Sequence, residues 1–493
     1  MSNEGSEKGF NPWIVFVLTA VLVVIAGLLF SNINERKVEA VRMNMVGADV
    51  MPYEPRSEKW AKNYPKQYEG WKATMKGDVK TKHNGSDQVD MLAENPAFVI
   101  LWAGYGFSKD YNSPRGHMHA VEDIQDTLRT GAPMKEGDGP MPATCWACKS
   151  PDVPRVMNVT GAKEFYKGKW HDKGHEIANP IGCADCHDEK TMKLTITRPA
   201  LVEAFERQGR DIEDATHQEM RSLVCAQCHV EYYFAKDGNY LTFPWDNGFS
   251  VEDMEKYYDE INFHDWIHPL SKAPMLKAQH PGYEVHMMGI HGQRGVSCAD
   301  CHMPYTTEGG VKFSDHQIRS PLANVQNTCQ VCHRESESEF YQNVYERQDK
   351  ILENRQQLEG LLVKAHIEAA FAWKKGAKEV DMKPILQDIR HAQWRWDFVA
   401  ASHGGSFHAP IEMGRVVSTG ILKAADARLK LVRVLNALGH TDEVPMPDVS
   451  TKAKAQAYLG YDMKKMNAEK EVFKEKVLPV WKKKTEERES QYK

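Results

Sequence analysis

Apolar residues are distributed differently at the two ends of this chain. Residues 12–30, PWIVFVLTAVLVVIAGLLF, form one apolar run without a charge. That is longer than the roughly 7–15-residue core of a signal peptide and matches the about 20 residues of one membrane-crossing helix. The residues before it are weakly charged, Lys8 being offset by Glu4 and Glu7, so orientation cannot be read from the positive-inside rule. Val24-Ile25-Ala26 has the form of a cleavage site but lies inside the run. Run length favours an uncleaved signal anchor over a cleaved signal, and either way the rest of the chain is exported. From 51 to 112 periodicity is weak and Pro, Tyr, Trp and Lys abound, which predicts wrapping loops and short helices. Val121, Ile124 and Leu128 fall on one face of an amphipathic helix, with His117 and Arg129 near its two ends. Beyond residue 335 the pattern becomes long and helical. Gly360 is the one helix breaker between 336 and 375, and Val344, Ile351, Leu358, Leu362 and Ala365 keep helical spacing. Further helices are predicted over 385–401 and 411–438, flanking the loop 402–410, and a charged helix from Asp462 to the C-terminus. Such helices form a bundle or, as the sharper alternative, a dimer seam.

Composition narrows the classes. At 493 residues the chain has room for two or three ordinary domains. Its net charge is −5 and it has no long basic run, which argues against nucleic acid as a partner.

The ten cysteines carry the chemistry. They form five C-x-x-C pairs: Cys145-Cys148, Cys183-Cys186, Cys225-Cys228, Cys298-Cys301 and Cys329-Cys332. Histidine follows four of them at once, as His187, His229, His302 and His333, and Lys149 follows the first. C-x-x-C-H attaches haem c: the thiols add to the vinyl groups and the histidine ligates iron. Zinc ribbons need paired knuckles about 15–20 residues apart, and these pairs lie farther apart. A single pair could also be a thioredoxin-like redox site, and C-x-x-C-K alone could be a degenerate or structural pair. Its place at the head of an otherwise complete array argues for a fifth haem. No cysteine is left for a disulfide or a nucleophile. Because porphyrins supply apolar core, the chain need not divide into ordinary domains. The prediction is a mainly α multihaem cytochrome with very little β. An N-terminal signal anchor (1–36) precedes one pentahaem catalytic domain (37–493), with haem-binding part 37–335 and long-helix dimerisation part 336–493.

The lysine site, the four histidine sites, Cys225-Ala226-Gln227-Cys228-His229-Val230-Glu231-Tyr232-Tyr233 and Lys277-Ala278-Gln279-His280 closely resemble the ammonia-forming pentahaem cytochrome c nitrite reductases, over roughly residues 50 to 440. The apolar N-terminal run departs from members with a cleaved signal. The resemblance implies that Lys149 is the proximal ligand of haem 1, whose other face takes nitrite, and that His187, His229, His302 and His333 ligate haems 2 to 5. It gives the distal ligands as His316 for haem 2, His117 for haem 3, His408 for haem 4 and His291 for haem 5. From sequence alone each is only a histidine in a loop, with His403 the rival of His408 and His286 of His291. It further implies a distal pocket of Arg129, Tyr232 and His280, and a calcium ion held by the Glu231 carboxylate, the Tyr232 and Lys277 carbonyls and the Gln279 side-chain oxygen. A homodimer on the C-terminal helices, a periplasmic location and a membrane quinol-oxidising multihaem cytochrome as electron donor complete the expectation.

The residue types suit that chemistry. Reducing nitrite to ammonium takes six electrons and eight protons, which only metal centres can relay. Bis-histidine haems are coordinatively full and serve as wires, whereas a lysine-ligated haem keeps one face open. Arg129 stays cationic and can hydrogen-bond an anion, and His280 can pass protons. Tyr232 can orient intermediates, although a tyrosine packed beside a haem is the plainer reading. Two other classes remain open on the sequence: an electron carrier without its own substrate, and an enzyme acting on hydroxylamine or sulfite.

Overall fold

The computed structural model describes residues 11–43 and 49–492. The N-terminal charges Glu4, Glu7 and Lys8, and with them the first part of the 1–36 segment, lie outside the described residues. Helix α1 (Pro12–Met43) runs well past the apolar stretch. Within Pro12–Glu35 an 18-residue window reaches a mean hydropathy of 2.9, and none of that window is buried against the rest of the chain.

Among the described residues the β-structure is limited to four two-stranded hairpins and a few isolated bridges, so the fold is mainly α, as the sequence predicts. The 51–112 region does contain short helices, including Pro65–Lys72 and Ala97–Leu101. The second is not a wrapping element: Phe98, Val99, Ile100, Leu101 and Trp102 are all buried. The helix expected through Arg129 is shorter. It ends as Ala120–Asp126, where Thr127 turns extended and its hydroxyl caps the next turn, Leu128–Thr130. A capping threonine that starts a new turn stops the helix it follows.

Three long helices form the bundle: α2 (Glu337–Lys374), α3 (Glu379–Ala401) and α4 (Pro410–Ala437). A Ser336–Glu339 capping box starts α2. Its buried residues Val344, Ile351, Leu358, Ala365 and Ala372 recur every seven positions, with Leu362 and Ala369 between them. On α4 the buried series Met413, Val417, Gly420, Ala424, Ala427 and Leu431 alternates steps of four and three, and Leu435 follows four positions on, the spacing of a helix–helix seam. Gly420 is needed there, because a Cβ would lie 2.7 Å from Leu358 and 3.3 Å from Arg395. The bundle joins the rest of the core through aromatics: Trp396 packs on Phe98 and Trp102, and Trp102 donates to Asp397 at 3.2 Å.

The last helix is two helices, α5 (Met463–Lys476) and α6 (Leu478–Glu489). Pro479 supplies no N–H, so the helix restarts there. These helices are not merely charged surface, since Lys470, Phe473, Trp481 and Thr485 are buried against the first half of the chain.

Candidate active site

All five cysteine pairs open onto one continuous cavity of about 2930 Å³. A single-ligand site measures roughly 300–1,000 Å³, so this space suits several cofactors. The ten cysteines form no disulfide with one another. Cys148 lies beside Cys228, and Cys225 beside Cys298, which brings the first, third and fourth pairs together.

The residues between the cysteines tie the pairs to one another. Arg198, 1% exposed, donates to the carbonyls of Ala147 at 2.8 Å and Ser150 at 2.9 Å. It also pairs with Asp185, inside the second motif, at 2.5 Å. Gln227, inside the third, donates to the Asp185 carbonyl at 2.7 Å. Asp300, inside the fourth, pairs with Arg221 at 2.9 Å and closes a capping box with Ser297.

Four histidine pairs face one another across the cavity. Ring centroids are 6.3 Å apart for His187 and His316, for His117 and His229, and for His302 and His408, and 6.1 Å apart for His291 and His333. With a metal–imidazole bond of about 2 Å and a ring nitrogen about 1.1 Å from its centroid, two rings sharing one metal stand about 6.2 Å apart. A directly interacting pair looks different: His268 and His366 stack at 3.7 Å deep in the core. Spacing alone is not decisive, because His280 and His403 are 6.2 Å apart as well. What marks the four pairs is that one member of each follows a cysteine pair. Second contacts orient three of these rings: the Nδ1 of His187, His302 and His316 meets the carbonyl of Met192, Arg319 or Ser314 at 2.8–3.0 Å. Such a bond fixes the tautomer that leaves Nε2 as the ligand. Burial favours the neutral, ligating form, bringing His187 to about 4 and His229 and His408 to about 3, and lowering His117, His291 and His316. The two rivals are engaged elsewhere. The Nε2 of His286 meets the Val296 carbonyl at 2.8 Å, and that of His403 meets the Tyr111 hydroxyl at 3.2 Å.

The first site is built differently. Lys149 lines the cavity together with Arg129, Tyr232 and His280. Burial, reinforced by the Arg129 charge, holds its amine below the usual lysine range. Arg129 sits on the short turn after Thr127, whose hydroxyl accepts from its Nε at 3.1 Å and donates to Asp110 at 2.7 Å. Its guanidinium lies 4.4 Å from the centre of the Phe107 ring. Tyr232 and His280 have ring centroids 6.4 Å apart. Burial, then the charges of Lys149 and His403, push His280 well below the usual histidine range. Phe107, Tyr111 and Thr127 are pocket residues that the sequence reading missed. The available signal was the aromatic series Tyr105, Phe107 and Tyr111 just before His117.

Three of the four residues expected to give oxygens to calcium, Glu231, Lys277 and Gln279, lie together. Glu231 is fully buried and accepts from the Gln279 backbone N–H at 2.6 Å and the Tyr258 hydroxyl at 3.0 Å. The Gln279 side chain reaches the Lys277 carbonyl at 3.4 Å. The Lys277 amine is engaged with Asp397 at 2.8 Å, so its carbonyl is the group left for a cation. Burial raises Glu231 well above the carboxylate range and takes neighbouring Asp265 up to about 7. A cation would relieve that burial, and an oxygen-only donor set fits a hard one. Among the described residues no group of three or more His, Cys, Asp or Glu side chains is placed to hold a metal ion.

A mainly helical chain with paired histidines and five cysteine pairs along one large cavity is a multihaem c-type cytochrome. The chain belongs to the cytochrome c552 family, whose model matches residues 56–490. It is similar to cytochrome c-552 of Parabacteroides distasonis (59% identity, covering 98% of each chain) and of Porphyromonas gingivalis (58%, covering 98% of this chain and 97% of that one). Its fold is similar to the catalytic subunit of a cytochrome c nitrite reductase from Desulfovibrio desulfuricans, for which two calcium sites are described. That likeness has a TM-score of 0.74 at 31% identity and covers 85% of this chain and 91% of the other.

Proposed function

We propose that the protein is an ammonia-forming nitrite reductase with five haems c, catalysing at the lysine site. The observation that carries this reading is the wall around Lys149. Four sites have a second imidazole opposite the first, whereas the lysine site has a cation, a phenol and a neutral imidazole. Haem bound at the five sites supplies an electron path and an iron that takes nitrite. Lys149, its amine made easier to deprotonate by burial, would ligate the iron of a haem held at the first site. Arg129 binds the anion by charge-assisted hydrogen bonds and is held to that task by Thr127 and Phe107. His280 is neutral in the buried pocket, and an anion beside it raises its basicity, so substrate binding itself prepares it to carry a proton. Tyr232 donates its hydroxyl to the oxygens being removed. Calcium held by Glu231, Gln279 and the carbonyls of Tyr232 and Lys277 keeps Tyr232 and His280 in place, since both adjoin ligands in sequence.

In this reading residues 1–36 anchor the enzyme and residues 37–493 work as one pentahaem unit in the periplasm, supplied by a membrane quinol-oxidising multihaem cytochrome. Exposed apolar residues support a homodimer through the long helices: Ile411, Leu422, Leu429 and Val432 lie on the outside of α4, and Val331 beside the fifth cysteine pair.

The test is turnover of nitrite to ammonium with a reduced viologen, beside the haem content and the visible spectrum with and without nitrite. Five haems per chain and a nitrite-dependent spectral change are expected. Arg129→Ala and His280→Asn should keep all haems and lose about 10²–10³-fold in kcat. Four haems, or parental kcat in both variants, overturns the proposal.

A further inference from the structure

We infer that Lys470 is a positioning residue for Arg129, and that the C-terminal segment 452–476 is a strap that holds the wall of the anion pocket. The inference rests on the functional reading above. Lys470 lies on α5, far from Arg129 in sequence, yet it is 3% exposed. Its ammonium donates to the Thr130 hydroxyl and to the Gly131 carbonyl, both at 2.9 Å. These are the two residues that follow Arg129. The Thr130 hydroxyl donates in turn to the Thr127 carbonyl at 3.0 Å, and the Thr127 hydroxyl receives the Arg129 Nε. Gly131 fixes the end of the turn at φ +68°, where a Cβ would meet Pro140 at 2.9 Å. The turn that aims Arg129 is thus gripped by Thr127 at its start and by Lys470 at its end.

A second set of contacts holds the loop packed against that turn. The Tyr461 hydroxyl receives the Gly104 N–H at 3.1 Å and hydrogen-bonds the Ser108 hydroxyl at 2.8 Å. Gln456 donates to the carbonyls of Ser108 at 3.2 Å and Lys109 at 3.1 Å. Between these anchors stands Phe107, the ring that carries the guanidinium. One helical segment therefore ties down both the turn that bears Arg129 and the loop that supports it. The ammonium also lies 4.7 Å from the centre of the Phe473 ring and 5.7 Å from that of Trp170, which hold it in place behind the turn. Its two hydrogen bonds go to the residues next to Arg129, and through them it aims the guanidinium.

Lys470→Met and Thr130→Val, each alone and each combined with Arg129→Ala, test this in the haem-loaded full chain. Two readouts are taken: nitrite turnover with a viologen donor, and equilibrium titration of nitrite into the oxidised protein by visible absorption. Misplacing a binding group by about 1 Å can cost 10²-fold. We expect Lys470→Met to weaken kcat/KM and nitrite affinity about tenfold and Thr130→Val about threefold, with haem content intact. Neither should cause further loss once Arg129 is alanine, because the effect passes through Arg129. Lys470→Met at parental values, or an equal loss in the Arg129→Ala background, overturns the inference while leaving the functional reading standing. Should Lys470→Met not accumulate, Thr130→Val decides by the same comparison. Arg129→Ala at parental values removes Arg129 from the functional reading and overturns this inference with it.

Discussion

Replacing Arg198 by methionine should damage two of the proposed attachment sites at once. The side chain is 1% exposed and its guanidinium serves four acceptors: the carbonyls of Ala147 and Ser150, Asp185 and the Thr197 hydroxyl. Methionine keeps most of the length and apolar contact, so packing loss is minor and the polar loss is read almost alone. Without the cation, that oxygen of Asp185 loses its charge partner, while the other keeps the Gly182 N–H at 2.8 Å. Removing one partner of a buried pair costs about 3–5 kcal/mol, and the two bared carbonyls act in the same direction. Against a net stability of about 5–15 kcal/mol that is a large share. Guanidinium unfolding of the haem-loaded protein, followed by the Soret band and far-ultraviolet circular dichroism, should report it. Arg198→Met combined with Asp185→Asn should recover part of the loss, since no buried charge then lacks its partner. A single variant within about 1 kcal/mol of the parent would refute the argument that residues between the cysteines bind the sites together.

Two further outcomes can be checked on the same material. His366 titrates at about 4 in the folded core against an ordinary value near 6.5, because burial disfavours its charged form. The unfolded chain therefore binds the extra proton between those values, and stability falls as pH drops from 6.5 towards 4, by about 3 kcal/mol from this residue. His366→Gln should flatten that acid limb, and an unchanged slope would exclude the residue. Removing calcium with a chelator should lower the unfolding midpoint and nitrite turnover of the parent but not of Glu231→Gln. A parent indifferent to chelation and to added calcium would show that the Glu231 site does not hold the ion.

Legibility followed the range of the forces involved. The long helices could be read because their apolar period is local and unbroken within each helix. The attachment sites could be read because cysteine pairing with the following residue is a covalent requirement. The end of the helix at Asp126 and the break at Val477 came from a capping threonine and a proline, both visible in the sequence but outweighed by the apolar and charged pattern around them. The buried series from Phe98 to Trp102 had no period to reveal it, because a helix packed on several sides shows no polar face. Phe107 and Lys470 were out of reach for another reason. Their roles are contacts with residues distant in sequence, and a single aromatic or lysine carries no mark of such a partner.

The distribution of polar groups along the cavity also bears on which site does chemistry. At the four histidine sites the polypeptide spends two imidazoles and, in three of the rings, a backbone carbonyl to fix the tautomer. These are groups that hold a centre still, as electron transfer with little rearrangement requires. At the lysine site the chain instead supplies groups that can exchange partners: a guanidinium supported from its side and back, a neutral imidazole and a phenol. Both Arg129 and His280 feel the Lys149 charge, so a neutral amine there makes protonating His280 easier. An arriving anion shifts the balance the same way, with Arg129 as its counter-charge. In the proposed function, ligand, anion and proton carrier are coupled through electrostatics in one half-buried pocket, where such coupling is stronger than in open water. A site that only passed electrons would gain nothing from that arrangement, whereas a site that must protonate an anion repeatedly depends on it.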